Sequence, residues 1–192
     1  MFGTKAILTA AIAVVSGGCL TSAFPLAGDA PGETHLAGVW RAAVRENANE
    51  HASHPLGMQV FLKNDLTIER HSDSFYETTV AGATYDIEVS RVGGHRYIDV
   101  SPYVEEDSES PPMTLPLHVF FRVEQDGETL KLFPWDVGAF NALISSGDIP
   151  VIRPERERTV MLAPSRRLRQ TIAKRPELFL TQPVVFRRVK PE

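Results

Sequence analysis

Few residues in this chain have the type and spacing to do chemistry. Cys19 is its single cysteine among 192 residues and directly follows Ser16-Gly17-Gly18. A thiol behind small residues is a nucleophile that a modifying enzyme can reach. His51 and His54 stand three apart, a spacing seen in metal sites, but Pro55 and polar neighbours make the stretch a loop. A metal needs further ligands on a rigid frame, and none stands at a useful spacing, so these read as solvated histidines with no metal or cofactor called for. His118 and Arg122 share a strand face with Phe120, whereas Leu117, Val119, Phe121 and Val123 form the opposite face. If the apolar face is core, His118 and Arg122 point outward. If the interior holds a ligand on their side, they supply its polar contacts. The pairs Glu105-Glu106 and Asp86/Glu88 suit a charged loop and an exposed strand face. A nucleophile elbow of the Gly-x-Ser-x-Gly type is missing, as is a phosphate-cradling glycine cluster, so no catalytic residue is nominated and the chain is not read as an enzyme.

The elements that would position Cys19 come first in the chain. Lys5 precedes an uncharged run from Ala6 to Val15. That run of about ten residues is too short to span a bilayer and suits the core of a signal peptide. Val15-Ser16-Gly17-Gly18-Cys19 resembles the bacterial lipobox, with Ser16 where a larger aliphatic residue is commoner. The resemblance implies removal of residues 1–18 and lipidation of Cys19, hence a membrane-lipid partner. Thr21 and Ala23 leave open an ordinary secretory cleavage after Ala23 and a secreted or periplasmic protein. In enterobacterial lipoproteins an Asp after the cysteine favours the inner membrane, so Leu20 implies the periplasmic face of the outer membrane. Residues 19–33 carry Pro, Gly, Ser and acidic groups without periodicity and predict a flexible tether.

Residues 34–192 then form one domain of ordinary size, whose stability must come from packing because no second cysteine exists for a disulfide. The net charge of -4 is unevenly spread: from Pro150 onward eleven Lys or Arg face four Asp or Glu. Such a block attracts anionic lipid or an acidic partner, or else faces acidic strands of its own domain. Export argues against nucleic acid.

Period-two alternation runs through Leu36 to Val44, Met58 to Leu62 and Tyr85 to Val89, where Asp86 and Glu88 mark a wet face. Gly93-Gly94 and Asp126-Gly127 are hairpin signatures, and Asn64-Asp65 offers a third turn between strands 57–63 and 66–70. Phe75 to Val80 and Pro183 to Val189 add strands, whereas Val104 to Pro116, acidic and proline-rich, is an exposed loop. Asp136 predicts a capped helix over Val137 to Ser145 with Gly147 as its stop, and Ser165 predicts another over Arg166 to Lys174. Trp135 reads as a core aromatic at a corner.

The fold class is therefore mainly β: an antiparallel barrel or strongly curved sheet of about 8–10 strands, closed to remove sticky edges, with two short helices near the C-terminus. Gly38-Val39-Trp40 resembles the Gly-x-Trp start of lipocalin-like barrels, and the order of elements is similar to that of bacterial lipoproteins with such barrels. The resemblance implies a binding module for a small apolar or amphipathic ligand. The alternative is an envelope interaction or assembly factor with a filled barrel. Cavity volume separates the two.

Overall fold

Glycine-rich turns set the register of the sheet. At Gly93-Gly94, φ values of 57° and 84° reverse the chain between β5 (Ala83–Val92) and β6 (His95–Pro102), which pair from Tyr85↔Pro102 to Val92↔His95. The Asp126-Gly127 signal likewise joins β7 (Val119–Asp126) to β8 (Thr129–Phe133). The computed structural model describes residues 20–29, 34–43, 64–103, 117–155 and 158–190. The strand predicted over Leu36 to Val44 is observed within its described part as Gly38–Ala42, whereas Cys19, His51, His54, the strand predicted over 57–63 and the acidic loop after residue 103 lie outside the described residues.

Among the described residues, β2 (Gly38–Ala42), β3 (Leu66–Arg70), β4 (Phe75–Val80), β5, β6, β7, β8 and β11 (Val184–Arg188) close into an eight-stranded antiparallel barrel. Closure is made by β11, which pairs with β8 on one side and β2 on the other. The predicted barrel with two helices is thus the observed fold. Side chains alternate across its wall, and the inward set, including Trp40, Tyr76, Ile87, Phe121, Leu130 and Phe186, makes the first core. The Trp40 indole donates to the Leu36 carbonyl at 2.7 Å, and the Tyr76 hydroxyl donates to the Thr34 carbonyl at 3.2 Å. These bonds satisfy the polar handles of two fully buried aromatics.

A second layer covers the outside of the wall. It contains β1 (Leu20–Ser22), β10 (Arg158–Met161) and β9 (Val151–Glu155) as a three-stranded sheet, with α1 (Val137–Ser145) and α2 (Ser165–Lys174). The Asp136 carboxylate caps α1 by accepting from the Ala139 N–H at 3.0 Å, as its position predicted. The expected Ser165 cap is displaced by one residue: Pro164, with ψ 148°, occupies the cap, and its carbonyl accepts from Leu168 at 3.0 Å. A fixed proline φ beside an extended ψ gives the non-helical geometry a cap requires without a side-chain bond. Between the layers lies a second core of Leu26, Phe120, Trp135, Phe140, Leu168 and Ile172 with their neighbours. Phe120 stacks on Trp135 at 5.3 Å, and Trp135 meets Phe140 at 4.6 Å, which places Trp135 in the core as read.

The N-terminal segment corrects the predicted tether over 19–33 in its described part. Leu20–Ser22 pairs in parallel with Thr159–Met161, and Ser22 bridges His118. Further on, Asp29 exchanges backbone bonds with Arg91 at 3.1 and 3.0 Å. Leu26 is 0% exposed in the second core. Gly28 reads as linker composition but serves close approach, since a Cβ there would lie 2.7 Å from the Arg91 carbonyl oxygen and 2.8 Å from the Ser90 Cβ. Residues 20–29 form a strap laid across the barrel wall.

Candidate functional site

Three regions hold the residues nominated for function, beginning with the barrel interior. Its wall leaves a cavity of ≈ 20 Å³ lined by Leu66, Ile68, Ile87, Ile98, Phe121 and Leu132 among others. That is room for about one water molecule, whereas small-molecule pockets run to roughly 300–1,000 Å³. Thr78 also lines it, and its hydroxyl is spent on the Thr67 carbonyl at 3.0 Å. No polar handle is therefore left over on the described lining.

His118 and Arg122 do not face that interior, which corrects their nomination as contacts to a ligand held there. Phe121 and Val123 turn into the barrel core, and the alternate face carries His118, Phe120 and Arg122 outward under the second layer. Outward is nonetheless buried for His118, whose side chain is 12% exposed. Its Nδ1 meets Asp99 Oδ1 at 2.9 Å, and the other Asp99 oxygen accepts from the Leu26 N–H at 2.9 Å. Asp99, only 4% exposed, thus ties β6 and β7 to the strap. Sequence reasoning missed Asp99, because alternation in Tyr97-Asp99-Ser101 marks an outer face without saying that another layer covers it. An Asp–His pair can orient an imidazole for proton transfer, yet among the described residues no hydroxyl bonds to His118. The pair acts as a clamp. Arg122 lies 4.0 Å over the Phe133 ring and 3.8 Å from Glu124, away from the clamp histidine's own contacts.

The outer surface carries an acidic row and a basic helix on different elements. On the barrel flank not covered by the strap, Glu69, Glu77 and Asp86 stand in register on β3, β4 and β5. Partial desolvation, then the Glu77 charge, raise the Asp86 carboxyl above its ordinary range, with His71 opposing. Glu88, opposite Asp99, is raised by desolvation and by the Asp99 charge, with His118 opposing. The basic tail is divided between the second layer, which holds α2, and the barrel strand β11 with Arg187 and Arg188. Among the described residues, its contacts with acidic groups are long, Arg175–Asp148 and Lys190–Glu128, each at 4.0 Å. On α2, Arg166, Arg167 and Lys174 are exposed and make no ion pair among the described residues.

Among the described residues no group of His, Cys, Asp or Glu is placed to hold a metal ion, and no helix is long and apolar enough to cross a membrane. No family model, curated protein or solved structure matches this chain.

Proposed function

We propose that the protein is a lipid-anchored bacterial envelope protein that works through its outer surface, as an interaction or assembly factor built on a filled lipocalin-like barrel. The observation that carries this reading is the interior: a cavity of ≈ 20 Å³ lined by apolar side chains. Burying a small amphipathic molecule takes more than ten times that space and usually a few convergent polar groups. What the barrel offers instead is a rigid wall, with its charged groups displayed outside. Support for the anchor is the position of the one cysteine, behind Gly17-Gly18 and a short apolar run. With Leu20 rather than Asp after the acylated cysteine, the resemblance to sorted lipoproteins favours the periplasmic face of the outer membrane.

Native mass spectrometry on protein purified gently from its host, compared with the same sample after denaturation, tests the filled barrel. The expected result is the mass of the acylated chain in both spectra. A stoichiometric extra mass that disappears on denaturing would overturn this reading in favour of a ligand carrier.

A further inference from the structure

Two independent features of the second layer point the same way. The first is the strap. Because Leu20 is already a strand residue paired with Thr159, its Cα lies one peptide unit, about 3.8 Å, from the Cα of Cys19. A lipid on Cys19 therefore has no flexible spacer behind it, and the layer that begins at Leu20 is held at the bilayer surface. Leu20 packs in the same core as Leu168 and Ile172, the buried residues of α2, so strap and helix belong to one layer.

The second feature is the outward face of that helix. Ser165–Lys174 contains Arg166, Arg167, Arg169 and Lys174 and no acidic residue. Two of the arginines sit in its first turn, where the helix dipole already presents positive charge and cations are disfavoured. Such an arrangement opposes local helix stability, and an external anion relieves it. The acidic row Glu69, Glu77 and Asp86 lies instead on β3 to β5 of the barrel wall.

We propose that the exposed Arg166, Arg167 and Lys174 face of α2 docks on anionic phospholipid headgroups and so lays the second layer against the bilayer, with the acidic barrel flank left for the periplasm. The orientation rests on the acylation of Cys19, whereas headgroup binding by α2 does not. Each arginine or lysine near an anionic surface strengthens binding by roughly fivefold at moderate salt, and the effect is screened within about 8 Å at physiological ionic strength.

The test uses the mature chain, residues 19–192, carrying Cys19→Ser, so that neither an acyl group nor the apolar run of residues 6–15 contributes. Flotation is compared on vesicles of phosphatidylcholine alone and on vesicles in which part of it is replaced by phosphatidylglycerol. The expected outcome is a preference of at least about tenfold for the anionic vesicles, falling as salt rises. R166E/R167E/K174E should abolish the preference, and R166K/R167K/K174R should keep it. Equal binding to both vesicle types, or a preference that survives charge reversal, overturns the proposal; the first result would leave the basic face to an acidic protein. Acylation is read separately, as the intact mass of the chain with Cys19 in place. A missing acyl mass with the vesicle preference intact removes the anchor and the orientation, but not the docking face.

Discussion

Asp86 shows what the charged flank costs the fold. It stands between Glu77 on the neighbouring strand and Ser101 on the other, and one of its oxygens is buried with no hydrogen-bond partner among the described residues. Like charges directly opposite in a sheet destabilise it. The carboxyl is accordingly raised above its ordinary value of 3.8, by desolvation first and by Glu77 second. A raised value in the folded state means that the folded protein holds the proton more tightly than the unfolded chain. This contribution to stability is full below pH 3.8 and is lost as pH climbs through the raised value. Asp86→Asn should therefore stabilise the protein at pH 7, by about 0.2–1 kcal/mol, and make little difference below the ordinary carboxylate range. Urea denaturation of both proteins at the two pH values measures this. A variant less stable at pH 7 would refute the destabilising role of the Asp86 charge beside Glu77. Asp99 is the contrasting residue, a carboxyl group supplied with two bonds in its buried place.

Among the elements, the strap is where sequence and structure part most clearly. Hairpin turns are local chemistry, so Gly93-Gly94 and Asp126-Gly127 could be read directly, as could the Asp136 cap of α1. Phe75 to Val80 alternates with period two and forms that strand. The strap gives no such signal, because Pro25, Gly28 and Asp29 have linker composition and the burial of Leu26 is decided by a layer assembled from residues more than a hundred positions later. The side on which His118 lies was legible from alternation, but its cover was not, for the same reason. A tether and a strap respond differently to substitution. Leu26→Ala should cost about 2–5 kcal/mol, the range for a truncated core leucine. Gly28→Ala should cost about 1–3 kcal/mol by forcing the strap off Ser90 and Arg91. Both are read as shifts of the denaturation midpoint at unchanged slope, and wild-type stability in the pair would restore the tether.

At the scale of the whole molecule, two cores share one wall. Strands β6 and β7 give alternate side chains to each: Ile98 and Phe121 face the barrel, and Tyr97 and Phe120 face the second layer. Neither core can lose its packing without exposing one face of those strands, and Asp99 with its bonds to Leu26 and His118 fastens the layers at the same place. Sequence composition could bound the number of domains but not show this sharing, since the outer face of β7 carries Phe120 among Arg122, Glu124 and Asp126 and only the fold puts that phenylalanine in a second core. The chain's two tryptophans report on the cores separately, with Trp40 fully buried in the barrel and Trp135 in the outer layer. Fluorescence of Trp40→Phe and Trp135→Phe variants should therefore give one urea transition each, and the two should coincide with the loss of far-ultraviolet circular dichroism once each variant's own stability is matched by that probe. An early Trp135 transition, with the barrel signal intact, would make the second layer a separately unfolding unit. It would also mean that the second layer can detach while the barrel stays folded, because the residues that join the layers are the residues that would have to let go.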